Sequence, residues 1–225
     1  MFGRIAARYD LLNTLMTFGQ DARWRRAVAD TIACAGSSAR VLDVGTGTGR
    51  LAQAIQQRYA AARVVGLDFT LPMLRHAPSG LRLAAADAQR LPCADSQFDA
   101  VVSGFLVRNL ADLERGIAEQ VRVLRPGGTL VILETTPGPR RWPLSALYLA
   151  YFRYVVPQLG RLLAGDASAY TYLPESTLSF VEPARLAELL RRFGLDDVHI
   201  RSFALGCVAV TSGRKAAILV PGAAK

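Results

Sequence analysis

Between about residues 40 and 134, short apolar runs of strand length alternate with longer segments of helical periodicity. This is the pattern of a parallel sheet whose strands are joined by helices. It predicts strands at 40–44, 63–67, 81–85, 98–103 and 129–134, with helices at 50–59, 71–76 and 112–123. The third helix stops at Arg125-Pro126-Gly127-Gly128, where proline cannot continue a helix and glycine supplies a left-handed turn. A last helix at 183–193 opens on Pro183 and ends at Gly194, and strands at 197–204 and 207–215 then form an antiparallel hairpin at one edge. The expected fold is α/β, a seven-stranded, mostly parallel sheet in the order 3-2-1-4-5-7-6.

Two segments stand outside the alternation. Residues 2–35 are helical and amphipathic in parts, with Tyr9-Asp10-Leu11-Leu12-Asn13 placed between a first helix and a stretch beginning at Asp21. Residues 142–163 are rich in aromatic and aliphatic side chains but are interrupted by Pro143, Arg153 and Pro157. A membrane-spanning helix needs about 20 apolar residues, so this segment does not span. Three fates remain open for it: a lid over a crevice, a surface lying on a membrane with Arg140, Arg141, Arg153 and Arg161 near head groups, or plain packing on the sheet.

At 225 residues the chain suits one domain with a modest appendage. Lys and Arg exceed Asp and Glu by 27 to 18, a formal charge of +9 that favours anionic surfaces. The basic residues are scattered and no run of five like charges occurs, so a nucleic-acid-binding tail is not indicated. Cys34, Cys93 and Cys207 lack the number and spacing of a disulfide framework or a zinc site and read as small apolar side chains. The first residues lack the apolar core of a secretion signal, which makes the cytoplasm the expected location.

The densest chemical signal is Val41-Leu42-Asp43-Val44-Gly45-Thr46-Gly47-Thr48-Gly49, an apolar strand, an acid, and three glycines on alternate positions. Backbone passing close to a ligand through a sharp strand-to-helix reversal needs such glycines. A pyrophosphate-cradling turn reads G-x-G-x-x-G, whereas this one reads G-x-G-x-G. Asp43, Asp68 and Asp87 stand at or just beyond the ends of three successive predicted strands, whose carboxyl ends face the ligand crevice of a doubly wound sheet. Their carboxylates suit a ligand with cationic groups, a ribose diol and an adenine amine but no phosphate, and S-adenosylmethionine (SAM) has all of these. Asp68 would accept the ribose hydroxyls, Asp87 the adenine amine, and Asp43 would set the methionine end. The plainer alternative is that these acids cap the helices that follow them.

Four blocks narrow the picture further. Tyr9-Asp10-Leu11-Leu12-Asn13 through Met16-Thr17, Asp21 and Trp24 resembles the pattern Y-D-x-M-N-x-x-[LIVM]-S-x-x-x-H-x-x-W of the ubiquinone and menaquinone biosynthesis C-methyltransferases, departing at Leu12, Thr17 and Asp21. Arg122 through Glu134 to Thr136 is similar to R-V-[LI]-[KR]-P-G-G-x-[LMF]-x-x-[LIVM]-E-x-S and departs only at Thr136. Leu106-Val107-Arg108-Asn109 and the stretch Gly165-Asp166 through Tyr170, Tyr172, Glu175 and Phe180 complete a resemblance that covers nearly the whole chain.

The resemblance implies a Rossmann-like class I SAM-dependent methyltransferase, with an N-terminal helical cap over 1–36 and a catalytic domain over 37–225 that carries a helical lid insertion near 137–182. It places the cofactor on Thr48, Asp68, Asp87 and Ala88, beside the Asp43, Gly45, Gly47 and Gly49 that the glycine turn itself marks. A cofactor-facing family serine aligns with Gly104, where the neighbouring Ser103 is the expected substitute; a family aspartate after the glycine turn is Arg50 here. It further implies a prenylated quinol substrate, with Asp166, Tyr170, Tyr172 and Glu175 either walling it or holding a lid loop by capping and hydrogen bonds.

The chemistry such a substrate needs can be stated from its own properties. A quinol ring carbon is a weak nucleophile until a neighbouring phenol ionises, so the site requires something that stabilises phenolate. Arg108 is expected to supply fixed positive charge, since a guanidinium keeps its proton. Asn109 would orient the ring hydroxyl and Tyr9 would complete the hydrogen-bond network. The plainer alternatives are an ion pair of Arg108 with Asp112 and a packing role for Tyr9. Peripheral contact with a membrane and a homodimer are further partners considered; nucleic acid is not. Other enzymatic options are a related methyltransferase for another aromatic, an amine or a lipid head group, and an RNA methyltransferase; a non-catalytic assembly partner is the option from another class.

Overall fold

The computed structural model describes residues 2–32, 38–138, 150–156, 158, 177 and 180–217. Two helices open it, α1 (Phe2–Met16) and α2 (Gln20–Thr31). The Tyr9-to-Asn13 block lies inside α1 and not between two helices. Nothing in it breaks a helix, and Leu12 and Met16, one turn apart, are both buried. The break falls later, at Phe18 and Gly19, whose φ values are 52° and 73°.

The sheet consists of β1 (Arg40–Val44), β2 (Arg63–Asp68), β3 (Arg82–Ala85), β4 (Phe98–Gly104), β5 (Leu124–Thr135), β6 (Leu195–Phe203) and β7 (Val208–Lys215). Helices α3 (Arg50–Arg58), α4 (Leu71–Arg75), α5 (Leu113–Val123) and α6 (Pro183–Arg192) lie between strands. The strand order is β3-β2-β1-β4-β5-β7-β6, with β1 to β5 parallel to one another and β7 antiparallel to both β5 and β6. The order is the expected one.

Side-chain alternation along the strands divides the core in two. Leu42, Val101, Leu130 and Ile132 point to the face covered by Ile117 and Val121 of α5 and Leu186 and Leu190 of α6. Val41, Val64, Ala100, Val102, Val131 and Leu133 point to the face covered by Trp24 and Val28 of α2 and Leu51 and Ile55 of α3. Both faces are covered, so the central strands read as continuous apolar runs without polar alternation. Each of the fully buried Leu and Ile residues contributes roughly 1.5–3 kcal/mol.

Two boundaries differ from expectation by more than one residue. β5 starts at Leu124, before the Arg-Pro-Gly-Gly turn, because the register with β4 jumps from Phe98↔Leu124 to Ala100↔Thr129. The turn is a bulge within the strand, with Gly127 at φ 73°. β6 likewise begins at Leu195 and absorbs a bulge between Asp196 and His199.

From the insertion, Tyr151 packs its ring 6.0 Å from that of Phe18 and donates its hydroxyl to the Met16 carbonyl at 3.0 Å. Thr177 is buried, 3.0 Å from the Thr135 hydroxyl. Tyr151 is thereby tied to the N-terminal helices and Thr177 to the carboxyl end of β5.

Candidate active site at the carboxyl edge of the sheet

β1 delivers the chain into the glycine turn, where Gly45, Gly47 and Gly49 have φ values of 70°, 58° and 77°. Every second residue is left-handed, which accounts for the alternate spacing. At Gly45 the demand is also steric, since a Cβ would stand 2.7 Å from the Leu106 side chain. The turn is tied to the neighbouring strand end: Gly45 N and Thr46 N donate to the Leu67 carbonyl, and Gly47 N donates to Asp68 Oδ2 at 2.8 Å.

A cleft of about 360 Å³ opens beside the turn, lined by Gly45, Gly47, Asp68, Asp87, Ala88, Gly104, Asn109 and Tyr9 among others. A smaller compartment of about 40 Å³ adjoins it under the turn, shared between Asp43, Thr48, Arg25, Arg50, Tyr9 and Gly104. The main cleft falls within the roughly 300–1,000 Å³ of small-molecule sites. Asp68 Oδ1 accepts from Thr70 N at 2.7 Å, so its carboxylate does order the start of α4 while facing the cleft. A carboxylate has about four acceptor positions, which leaves room for two ribose hydroxyls. Asp87 stands exposed at the rim, its Oδ1 accepting from Gln89 N at 2.8 Å.

Asp43 is fully buried. Its Oδ2 accepts from Thr46 Oγ1 at 2.7 Å and from Ala52 N at 3.1 Å, whereas Oδ1 has no partner. Burial is the main cause that pushes its pKa from 3.8 up to about 7. Thr48 donates to Asp10 Oδ1 at 2.8 Å, and the other Asp10 oxygen lies 3.0 Å from Arg50 Nε. The residue that replaces the family's aspartate therefore fastens α1 onto the glycine turn. Ser103 is wholly buried with an unpartnered hydroxyl and lines neither compartment. Strand alternation turns it away while Gly104 faces the cleft.

Arg108 sits in a 3₁₀ turn (Val107–Asn109) after β4. Its partner is Glu134 and not Asp112: Arg108 Nη1 pairs with Glu134 Oε1, and Arg108 N donates to Oε2 at 3.3 Å. Asp112 instead caps α5, accepting from Arg115 N at 2.9 Å. Both members of the Arg108–Glu134 pair are buried and Arg108 lines neither compartment, but its neighbour Asn109 does. Asn109 Nδ2 donates to the Phe105 carbonyl at 3.0 Å, leaving a buried Oδ1 without a partner. Glu134 lies in the second family motif and Asp10 in the first, so both signals were in the sequence without a role attached. Arg25 carried no signal beyond its place after Trp24. Asp166, Tyr170, Tyr172 and Glu175 lie outside the described residues.

SAM fits what is present: an orphaned buried acceptor at the narrow end, a second carboxylate midway, a third at the far rim, and a turn whose backbone a Cβ would obstruct. Residues 1–215 match the model of the ubiE/COQ5 methyltransferase family. The chain belongs to that family. A ubiquinone/menaquinone biosynthesis C-methyltransferase UbiE of Desulfotalea psychrophila is 45% identical over 220 residues, 96% of this chain and 89% of that protein. A demethylmenaquinone methyltransferase of Deinococcus radiodurans is 45% identical over 222 residues, 96% of this chain and 91% of that protein. The solved structure of a SAM-dependent methyltransferase of Thermotoga maritima superposes with a TM-score of 0.63 over 96% of this chain and 100% of its own, at 18% identity, a likeness of fold alone. This ubiE/COQ5 family member is a SAM-dependent methyltransferase of class I fold.

Proposed function

We propose that this enzyme methylates a ring carbon of a prenylated quinol, of the demethylmenaquinol or polyprenyl-benzoquinol kind. The observation that carries the proposal is the 45% identity, over nearly the full length, to proteins named for these reactions. Bound SAM supplies an electrophilic methyl on a sulfonium, which the ring carbon displaces in line, so holding the two within about 3–3.5 Å does much of the work. Asp68 accepts from the ribose, Asp87 and Ala88 flank the adenine, and Asp43 receives the methionine ammonium. Asn109 presents its unpartnered Oδ1 to a ring hydroxyl. Arg108 acts on the same ring from behind Asn109: Glu134 balances its charge and anchors the turn, so the pair holds Asn109 in the cleft and leaves the guanidinium field fixed. Tyr9 closes the cleft from α1.

We further infer that the mouth of the cleft rests on a membrane surface. Phe69 lines the cleft and is 81% exposed, and Phe18 is 78% exposed where α1 meets the insertion. Among the described residues no helix is long and apolar enough to cross a bilayer. The deciding experiment for substrate class is quinone profiling by mass spectrometry after deletion of the gene in its host. Accumulation of a demethylated quinone is the expected result; an unchanged quinone profile would reject the substrate.

A further inference from the structure

Residues 86–97 join β3 to β4 without a helix, so the wall of the cleft that carries Asp87 and Ala88 must be held in shape by something else. The neighbouring α5 does this. Asp112, Arg115, Glu119 and Arg122 fall at i, i+3, i+7 and i+10, along one side of that helix from its cap onward, and each bonds a residue of the segment. Asp112 N donates to Gln89 Oε1 at 2.7 Å and Arg115 Nε to the Gln89 carbonyl at 3.0 Å. Glu119 Oε2 accepts from Leu91 N at 2.8 Å, and Arg122 donates to the Leu91 and Cys93 carbonyls at 3.0 and 2.8 Å.

Gln89 is where this seam meets the reaction. It lines the cleft, as do Asn109, Leu110 and Ala111 of the facing turn, and the amide it holds belongs to Asp112, three residues after Asn109. That turn is also fixed to its own helix, because a Cβ on Gly116 would collide with the Leu110 side chain and its absence lets Leu110 sit directly on α5. On the opposite side, the Gln89 amide donates to Asp87 Oδ1 at 2.8 Å. We propose that Gln89 is a positioning residue that clamps the turn of Arg108 and Asn109 to the cofactor-bearing wall, so that SAM, in ordering that wall, sets Asn109 for the quinol ring. The role rests on the quinol reading given above and deepens it, since it makes the two ligands bind cooperatively. Gln89 itself need not touch the ring.

The test is a coupling measurement on the full-length protein, with S-adenosylhomocysteine and a geranyl-substituted demethylmenaquinol kept reduced as probes. In the wild type each ligand should tighten the other by the same factor, about fivefold, because coupling between two sites is reciprocal. Gln89→Met keeps the length of the side chain and removes its acceptor. It should bring the factor to about one and lower kcat on the order of tenfold, the scale of one to two hydrogen bonds, while S-adenosylhomocysteine alone binds nearly as before. Gln89→Glu restores an acceptor for the Asp112 amide and should restore the coupling. Arg115→Met cuts only the bond to the carbonyl and should lower the factor part-way. A purely structural role would move the melting temperature and leave the coupling factor alone. Coupling that survives in Gln89→Met, or that stays lost in Gln89→Glu, would overturn the assignment. The substrate reading fails in a different place: a wild type that binds S-adenosylhomocysteine but not the quinol would reject that substrate, and the positioning role with it.

Discussion

Asp43 shows how one side chain at the strand end couples the fold to its ligand. With Thr46, the Ala52 amide and Arg25 favouring its charge, and burial and Asp68 opposing it, its pKa rises from 3.8 to about 7. Its contribution to stability is therefore full below 3.8 and lost as pH rises through about 7. An ammonium beside it reverses the preference, so SAM affinity should increase as pH rises through about 7, until the ligand's own amine deprotonates near about 8. Calorimetry across this range should show the rise in the wild type and a flat profile in Asp43→Asn. At Asp68, replacement by alanine removes the acceptor for the ribose and releases Gly47 N; SAM binding should fall at least tenfold, on the order of one to two charged hydrogen bonds, and unchanged affinity would reject the site. The Arg108–Glu134 pair predicts a different split. Arg108→Ala leaves Glu134 buried and uncompensated, and the expected outcome is a large loss of kcat with little change in SAM affinity. Glu134→Gln should lower kcat in the same sense, which single-turnover kinetics would separate from binding.

At the level of elements, α1 is held to the glycine turn by few groups. Asp10 bridges Thr48 and Arg50, while Leu12 and Met16 bury the underside of the helix. The Asp10–Arg50 pair is partly exposed, and such pairs contribute about 0–1 kcal/mol; the bond to buried Thr48 is the stronger tie. Asp10→Ala should thus cost little in melting temperature but loosen α1 over the cleft, so that hydrogen exchange in residues 9–16 rises and KM for SAM increases several-fold. Unaltered exchange would show that apolar packing alone holds the helix. The α5-to-β5 junction carries a complementary lesson: Arg125-Pro126-Gly127-Gly128 reads as a helix stop, yet the chain keeps pairing through it, because β4 and β5 tolerate a bulge where Gly127 takes a left-handed conformation.

At the scale of the whole molecule, a formal charge of +9 and the exposed Phe69 of the cleft and Phe18 after α1 predict binding to anionic vesicles. Cosedimentation should show retention that weakens with salt, as screening requires, and Phe18→Ser/Phe69→Ser should release the enzyme while leaving SAM binding intact. Retention by neutral and anionic vesicles alike, unaffected by the double substitution, would reject the surface.

Sheet order, both buried faces and the glycine turn were legible in the sequence, because strand and helix periods and a left-handed backbone are local demands that residue types state directly. So was the gathering of Asp43, Asp68 and Asp87 at one edge, since strand ends in a doubly wound sheet converge there. What tertiary structure alone decided were partnerships between residues far apart in sequence. Arg108 finds Glu134, 26 positions away, and not Asp112; Thr48 finds Asp10 across 38; Ser103 turns from the cleft that Gly104 faces; and Arg25 enters the compartment of Asp43. Such pairings depend on how helices are laid onto the sheet, through contacts such as Trp24 on Phe105. No spacing along the chain encodes that geometry.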